Sequence, residues 1–259
     1  MTTLVTGSTG FLGSAIAREL LRDGRKIKLL ARENADLRNI EGLGAEVVAG
    51  DLRDKESLRS ALKGCSKLYH AAAYYSLWDK DKKLIYDINV EGTRNILQIA
   101  LDLGIEKVVY TSTVGCMGLS KDRTPTNEDS PMDPSTLSND YKLSKFQAEK
   151  IALEMHDKGL SIVVVNPSTP IGPRDIKPTP TGKIVLDFLN GKMPAYMDTG
   201  LNLIDVKDCA RGHILAEEKG KSGERYILGN KNMSLKEILL TLEKITGIRA
   251  PSFKIPYWV

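Results

Sequence analysis

The sequence predicts an α/β fold in which helices cover both faces of a mostly parallel sheet. Short apolar runs alternate with amphipathic segments from the N-terminus as far as Asn166. The first run stops at a cluster of glycines, and a segment with helical spacing follows at once. Strand, glycine turn and helix in this order predict the first unit of a doubly wound sheet.

Length, composition and charge limit the classes of protein that fit. The 259 residues suit one large domain, or one domain with a small appendage, and 41% hydrophobic with 27% charged residues is typical of a globular protein. The Lys and Arg residues behind the net charge of +4 are spread along the chain, so we expect no nucleic-acid surface. No apolar run reaches the length of a membrane span.

The cysteines and histidines predict neither disulfides nor a metal site. The three cysteines lie far apart and are odd in number, and neither they nor the three histidines have a metal-ligand spacing. The chain opens on a strand, without a basic and apolar signal segment. A reducing compartment and a cytoplasmic location are therefore expected.

The glycine turn predicts a dinucleotide site. A strand over 3–6 ends at Gly7, and Gly10 and Gly13 follow at intervals of three. Such glycines permit a tight turn and a close approach of the backbone to a pyrophosphate, which the free N–H groups of the next helix can bind.

The end of the second predicted strand, 26–31, favours one cofactor over another. Sites for NAD usually carry Asp or Glu here, whereas this strand ends at Arg32. Arginine suits the 2′-phosphate of NADP by its charge and its planar fork. NADP is therefore the expected cofactor and NAD the alternative, which the nearby Glu33 and Asp36 leave open.

The third and fourth predicted strands, 46–49 and 67–73, end at the sheet edge where open α/β sheets bind ligands. Asp51 lies just past the third strand. The fourth ends in three alanines, whose small side chains would let a cofactor lie close. His70 stands in its apolar run and is expected in the core.

Aromatic residues and a long helix follow. Tyr74, Tyr75 and Trp78 either line a substrate pocket or belong to the core. An amphipathic helix is predicted over 83–103, with Gly104 as its stop.

A fifth strand, predicted over 107–110, leads into the hydroxyl cluster Thr111-Ser112-Thr113. Hydroxyls at a strand's C-terminal end face the ligand crevice, although they are also common there as local caps. A polar loop over 120–139 then leads to the next helix, and long loops of this kind are often functional.

That helix opens with Tyr141 and Lys145. Residues four apart lie on one face of a helix, so the two side chains are neighbours. A nearby ammonium favours the phenolate and lowers the pKa of a tyrosine, which makes the pair a candidate proton donor and acceptor. The alternative is a solvated surface pair.

After a sixth strand, 161–166, the alternation of strands and helices weakens. Five prolines from Pro167 to Pro180 predict a rigid, non-helical connection. Further elements are expected over 203–206, 207–219 and 225–228, and a helix capped by Ser234 with Glu237 in a capping box. The expected division is a dinucleotide-binding Rossmann domain over 1–166 and a small substrate-binding part over 167–259, interleaved with the last strands of the sheet.

Three markers now stand in order: the three glycines, the hydroxyl cluster and the Tyr141–Lys145 pair. Together they resemble the extended short-chain dehydrogenases/reductases of the NAD-dependent epimerase/dehydratase family, over all 259 residues. Asn89-Val90-Glu91-Gly92-Thr93 resembles the helix motif of that family. The segments 166–175 and 194–196 resemble the hopanoid-associated sugar epimerases, which are akin to dihydroflavonol reductases.

The resemblance implies roles for the matching residues. Tyr141 would be the acid/base, Lys145 would lower its pKa and hold the nicotinamide ribose, and Thr113 would bind the reacting oxygen. Asp51 would contact the adenine. The other expected cofactor-binding residues are Gly7, Gly10, Phe11, Leu12, Gly13, Arg32, Leu52, Ala71, Ala72, Ala73, Pro167 and Ser168.

Departures from the family pattern narrow the substrate. Plant dihydroflavonol reductases carry Asn at the position of Gly118, so a flavonoid is not expected. Sugar 4,6-dehydratases have Asp-Glu after the threonine, whereas Val114-Gly115 follow Thr113 here, which disfavours dehydration. The apolar C-terminal end falls where relatives continue into further helices, so a truncated substrate-binding part is expected.

The predicted function is NAD(P)-dependent hydride transfer to or from a carbonyl or alcohol carbon of a small molecule. One alternative is a nucleotide-sugar epimerase, which returns the hydride to the same carbon and keeps its cofactor through turnover. The other is a non-catalytic dinucleotide-binding protein of the same fold. The sequence is also compatible with a homodimer.

Overall fold

The computed structural model describes residues 1–75, 82–120 and 124–256. The strands are β1 (Thr2–Thr6), β2 (Lys26–Ala31), β3 (Glu46–Ala49), β4 (Lys67–His70), β5 (Lys107–Thr111), β6 (Ile162–Pro167), β7 (Thr169–Ile171), β8 (Ala195–Met197), β9 (Gly200–Asp205), β10 (Arg225–Leu228), β11 (Lys231–Ser234) and β12 (Phe253–Ile255). The helices are α1 (Phe11–Arg22), α2 (Lys55–Leu62), α3 (Lys82–Tyr86), α4 (Gly92–Asp102), α5 (Asp140–Asp157), α6 (Pro180–Leu189), α7 (Val206–Lys219) and α8 (Leu235–Thr246). A π-helical segment, Asp87–Glu91, joins α3 to α4, and 3₁₀ turns occupy Val114–Cys116 and Pro134–Thr136.

Within the described ranges, seven strands form one parallel sheet in the order β10-β6-β5-β4-β1-β2-β3. The chain runs outwards in both directions from β1, so the C-terminal ends of β1 and β4 flank the crevice where doubly wound sheets bind ligands. α1 and α7 pack on one face, and α2, α4 and α5 pack on the other. The predicted doubly wound Rossmann sheet is confirmed.

Alternate residues of each strand enter two separate cores. Leu4 packs with α2, α4 and α5, whereas the next residue, Val5, packs with α1 and α7. Successive side chains of a strand point to opposite faces, so a strand covered on both faces needs an unbroken apolar run. Val163 and Val164 on β6 divide between the two cores in the same way.

The segments after Pro167 divide between the central sheet and a smaller unit. β10 and α7 belong to the central sheet and to the face that α1 covers. β7, β9 and β11 form a second sheet, β8 pairs with β12, and α6 and α8 close on a small core that contains Phe188, Tyr196 and Leu239. A substrate-binding role for this smaller unit stays a prediction.

The structure corrects the predicted course of the fourth strand and of the long helix. β4 ends at His70 rather than at Ala73, because the N–H of Ala72 donates to Thr6 Oγ1 and leaves the strand ladder. The helix predicted over 83–103 contains the π-helical segment Asp87–Glu91. The capping box of Ser234 and Glu237 is confirmed.

The connection predicted through the five prolines is non-helical from Pro167 onwards, as expected, but the prediction is wrong at Pro180. Thr169–Ile171 pairs with β9 as a short strand. α6 begins at Pro180, with Thr179 as its cap. Proline fits the first helical position, since the N–H that it lacks has no partner within the helix there.

Candidate active site

The glycine turn has the form that a pyrophosphate requires. Gly7 has a φ of 68°, and its carbonyl accepts the N–H of Gly10 at 2.9 Å. A Cβ on Gly13 would lie 2.1 Å from that same carbonyl oxygen, so only glycine allows α1 to pack on the turn. No side chain caps α1, and its first turn carries no acidic residue. The first N–H groups of the helix are therefore open to an anion.

Ala71 and Ala72 lie directly beside this turn, and their predicted contact with a cofactor stays a prediction. A Cβ on Gly7 would come within 2.7 Å of the Ala72 nitrogen and 2.8 Å of the Ala71 carbonyl. Phe11 and Leu12 pack against the core under α1. Ala73, the residue after Ala72, is exposed.

Leu52 packs in the hydrophobic core. It is buried, and a Cβ on Gly92 would lie 2.7 Å from Leu52 Cβ. Its carbonyl accepts a hydrogen bond from Asn95 Nδ2 at 3.0 Å. Its predicted contact with a cofactor stays a prediction.

The ends of β2 and β3 form the basic end of the crevice. Arg32 is exposed. Both carboxylate oxygens of Asp51 accept hydrogen bonds from Arg53, at 3.0 and 2.7 Å. These bonds, with a smaller contribution from the charge of Arg32, lower the pKa of Asp51. Arg38 pairs in the same way with Asp36 at 2.6 Å.

At the other end of the crevice, α5 places Lys145 under the end of β5. Lys145 is 3% exposed, and its ammonium donates to the Thr111 carbonyl at 2.8 Å and to the Tyr110 hydroxyl at 3.0 Å. Burial lowers the pKa of Lys145 to about 8, although Cys116 and Glu149 act in the opposite direction. A buried ammonium with two fixed acceptors has a defined position.

Tyr141 lies one turn before Lys145 and is half-buried. The ring of Tyr75 meets its ring edge-on, with centroids 4.6 Å apart. Burial raises the pKa of Tyr141, and the neighbouring Tyr75 and Cys116 add to the rise. No hydrogen bond joins Tyr141 to Lys145 among the residues that the structure describes. The predicted lowering of its pKa by Lys145 is therefore wrong for this arrangement, in which burial dominates.

Tyr75 thus contacts a residue of the candidate site, which favours the pocket interpretation of the aromatic cluster. The backbone of Tyr74 is held by the Asn89 side chain at 2.7 and 3.1 Å, and Asn89 Nδ2 also donates to Ser144 Oγ on α5. The helix motif that begins at Asn89 therefore fastens this segment to the helix of Tyr141. Trp78 lies outside the described residues.

Thr113 stands two residues past β5, at the start of a 3₁₀ turn against which α5 packs. Its hydroxyl oxygen accepts the N–H of Gly115 at 3.1 Å, and its carbonyl accepts Asn166 Nδ2 at 3.0 Å. Asn166 Nδ2 also donates to the buried Glu149 at 2.8 Å. Sequence reasoning missed Glu149 as a support, although its place four residues after Lys145 puts it on the same helix face.

The end of β6 closes the crevice. Pro167 is buried and pairs with β10. Ser168 Oγ and Asn166 Oδ1 are both buried, and neither has a hydrogen-bond partner among the described residues. Unsatisfied buried polar atoms are uncommon, and here they suit the polar groups of a bound molecule.

Gly118 has a clear structural requirement. A Cβ at this position would lie 2.0 Å from the Pro131 carbonyl oxygen, so the loop that follows the 3₁₀ turn leaves no room for a side chain. The asparagine of plant dihydroflavonol reductases could not occupy this place without moving the loop.

Residues 3–229 match the model of the NAD dependent epimerase/dehydratase family. The chain belongs to this family. Its members are NAD-dependent reductases, dehydratases and epimerases, so the chain is an enzyme that works with a nicotinamide dinucleotide.

Individual relatives agree with this assignment. A Synechocystis sp. protein with the provisional name dihydroflavonol 4-reductase is 49% identical over 98% of this chain and 75% of its own length. The crystal structure of gox2253 has a TM-score of 0.94 at 48% identity and covers 98% of this chain and 77% of that one. The UDP-glucose 4-epimerase of Thermus thermophilus in complex with NAD has a TM-score of 0.83 at 26% identity, over 99% and 86%.

Two further findings concern the described part of the chain. None of its helices combines the length and the apolar composition needed to cross a bilayer. No group of three or more His, Cys, Asp or Glu side chains there has the arrangement of a metal site.

Proposed function

We propose that this protein is an NADP-dependent reductase that transfers hydride to a carbonyl carbon of a small molecule, or takes it back from the alcohol. The observation that carries the proposal is that the 3₁₀ turn capped by Thr113 packs against α5, the helix of Tyr141 and Lys145, and that Lys145 is bonded to the end of β5. Thr113 follows β5, whereas Tyr141 and Lys145 stand on successive turns of α5. Each side chain presents a group that such a reaction needs.

The residues around the crevice fit a dinucleotide. The glycine turn and the open N–H groups of α1 would hold its pyrophosphate, Ala71 and Ala72 would leave room beside it, and Ser168 Oγ would accept or donate to it. When bound, the reduced cofactor supplies the hydride. Arg32 is proposed to contact a 2′-phosphate, because an arginine rather than an acidic residue directly follows β2.

Three side chains at the reacting end have separate roles in the reaction. The N–H of Gly115 occupies one lone pair of Thr113 Oγ1, so the hydroxyl proton of Thr113 can point to the oxygen of the substrate. Tyr141 gives its proton to that oxygen while the carbon gains the hydride, and the products are an alcohol and the oxidised cofactor. Lys145 stands one helical turn after Tyr141 and supplies the positive charge of the site, which favours negative charge on the reacting oxygens.

A nucleotide-sugar epimerase is the second candidate, and one observation favours it. A UDP-glucose 4-epimerase shares this fold at 26% identity and binds NAD. The relative with the reductase name is closer in sequence, at 49% identity. The substrate-binding role of the smaller unit, a homodimer and a cytoplasmic location also stay predictions.

The deciding experiment follows the cofactor through turnover. The purified protein is denatured and its bound nucleotide identified, and NADPH oxidation is then measured with a panel of aldehydes and ketones. A reductase oxidises added NADPH in proportion to the carbonyl consumed and exchanges its nucleotide. A nucleotide that stays bound, with no net oxidation and with interconversion of UDP-sugars, would contradict the proposal and support the epimerase.

A further inference from the structure

A series of buried polar side chains connects the lysine of the site with the glycine turn. Lys145 Nζ donates to Tyr110 Oη at 3.0 Å, and the Tyr110 hydroxyl is hydrogen-bonded to Thr93. Thr93 Oγ1 lies 3.1 Å from His70 Nε2, and His70 Nδ1 lies 2.8 Å from Thr6 Oγ1. All five side chains are 3% exposed or less. Such a series crosses from α5 through β5, α4 and β4 to β1.

The donors and acceptors of this series can be ordered without conflict. An ammonium only donates, so the oxygen of Tyr110 accepts from Lys145, and it also accepts from Thr93, whose hydrogen bond acts to lower the pKa of Tyr110. His70 Nε2–H then donates to Thr93 Oγ1, and the hydroxyl of Thr6 donates to His70 Nδ1. This order needs a neutral imidazole, and burial lowers the pKa of His70 to about 3.

The two ends of the series are the two functional parts of the crevice. Thr6 immediately precedes Gly7, and Thr6 Oγ1 also accepts the N–H of Ala72 at 3.2 Å. The series therefore ends where the glycine turn meets the wall beside it. Thr6 is fully buried, so the series has no exit to water at that end and does not resemble a path for proton release.

We propose that Tyr110, Thr93 and His70 are positioning residues that fix the ammonium of Lys145 and tie its place to the glycine turn. The inference rests on the proposed function, because it takes Lys145 as part of the reacting site. Two of the three ammonium protons are directed to Tyr110 and to the carbonyl of Thr111, which fixes the direction of the third. Without Tyr110 the ammonium would lose one of these two anchors.

The charged and titratable neighbours of Lys145 are few. Cys116 on the 3₁₀ turn and Glu149 on α5 raise its pKa, while His70 on β4 is neutral. Tyr141 and Tyr110 are phenols. In the described part of the π-helical segment and α4, the charged residues form ion pairs at the surface. Asp87 pairs with Lys83, and Glu91 pairs with Arg94.

The test compares Tyr110→Phe with Tyr69→Phe. Each substitution removes one buried phenol hydroxyl at nearly constant volume, and the two residues lie on neighbouring strands. The hydroxyl of Tyr69 donates to Glu217 at 2.9 Å and makes no hydrogen bond with Lys145 among the described residues. The ionisation of Lys145 is followed by NMR in protein labelled with ¹⁵N-lysine, with its signal assigned through Lys145→Met. The pH profile of kcat for NADPH oxidation is measured in parallel.

Tyr110→Phe should lower the pKa of Lys145 by about 1, since one hydrogen bond to a charged group is lost. The high-pH limb of the kcat profile should move down by the same amount, and kcat at pH 8 should fall about fivefold with the KM of the carbonyl little changed. Tyr69→Phe should change thermal stability alone. Thr93→Val should act in the same direction as Tyr110→Phe, and Thr93→Ser should restore the wild-type values.

An unchanged Lys145 titration and kcat profile in Tyr110→Phe, with only a loss of stability like that of Tyr69→Phe, would overturn the proposal. If Tyr110→Phe does not fold, the Thr93→Val and Thr93→Ser pair decides by the same titration. The NMR measurement needs no substrate. A wild-type protein that oxidises no NADPH would therefore count against the proposed function, while the titration would still decide the positioning role.

Discussion

The two ends of the crevice differ in how deeply their charged side chains are buried. At the reacting end, Lys145 is 3% exposed and its ammonium bonds to partners that are themselves buried. At the basic end, Arg32 is exposed, and Arg38 and Arg53 form pairs with carboxylates only two residues away in sequence. One end is held by contacts between distant segments, and the other by short local pairs at the surface.

This difference separates two properties of the protein. Buried hydrogen bonds have fixed geometry and a high cost of loss, so the reacting end should tolerate almost no change. Surface ion pairs contribute about 0–1 kcal/mol and are easily exchanged, so the basic end can release its carboxylates and bind a phosphate instead. The chemistry should therefore depend on one end, and the choice of cofactor on the other.

The largest effect is expected at Tyr141. Tyr141→Phe removes the hydroxyl that transfers the proton and leaves the ring in contact with Tyr75, so the protein should fold and bind cofactor normally. Loss of a general acid costs about 100- to 10,000-fold in the chemical step. Single-turnover rates and cofactor dissociation constants would show it. Wild-type turnover in this variant would refute a role of Tyr141 in the chemical step and contradict the comparison at its buried end.

Thr113 should come next. Thr113→Val removes the hydroxyl at nearly constant volume, and loss of one such donor to a reacting oxygen typically costs about 100- to 1000-fold in turnover. Thr113→Ser keeps the hydroxyl and is the matched control. Steady-state kcat and the cofactor dissociation constant are measured for both. Normal turnover in the valine variant would move the role to Ser112 or Thr111.

At the basic end we expect a smaller and selective effect. Arg32→Ala should weaken NADP binding by about 1.5–3 kcal/mol, the scale of a hydrogen bond to a charged group, and leave NAD binding almost unchanged. Isothermal titration with both nucleotides measures the difference, and Arg22→Ala at the surface of α1 serves as a charge-matched control. Equal losses for NADP and NAD would refute the role of Arg32 in cofactor choice.

The smallest effect concerns stability at the buried end. His213 donates from Nδ1 to the Cys209 carbonyl and bonds through Nε2 to Thr111, and burial lowers its pKa to about 4. An unfolded histidine binds a proton below about pH 6.5, so the free energy of unfolding is full above that pH and falls as the pH decreases towards 4.

At pH 5.5 this loss is about 1.4 kcal/mol for one histidine. His213→Gln should remove that part of the difference between urea unfolding at pH 7.5 and at pH 5.5. The pair of Asp36 and Arg38 adds no slope in this window, since hydrogen bonds from Arg38 lower the pKa of Asp36 to about 2. An unchanged pH dependence in His213→Gln would show that the buried end does not set the acid sensitivity.

The central sheet was predictable because its signals are local and repeated. Each buried parallel strand needs an unbroken apolar run, and the glycine turn needs three glycines at set positions. The short strands β7, β8 and β12 have three residues each, too few for any period to emerge. The start of α6 is hidden in the sequence because proline ordinarily breaks helices, although Pro180 occupies the one helical position where proline fits.

The candidate site was predictable where residues share a helix turn or a strand end. Tyr141 and Lys145 are neighbours by spacing alone, and Thr113 follows from the parallel order of the strands. The supports of Lys145 were not predictable, because Tyr110 and His70 stand in apolar runs and sequence alone shows them as core. Their hydrogen bonds depend on residues that lie far apart in the chain, 23 positions for His70 and Thr93 and 35 for Tyr110 and Lys145, which only the fold brings together.

The π-helical segment Asp87–Glu91 amounts to one residue inserted into an otherwise continuous helix. Each residue of an α-helix turns the chain by about 100°. Removal of Ile88 would therefore rotate α3 by roughly that angle relative to α4. Ile85, now 2% exposed, would turn towards water while Asn89 and Thr93 kept their places. The insertion lets one helix present two faces, an apolar one before the segment and a hydrogen-bonding one from it onwards.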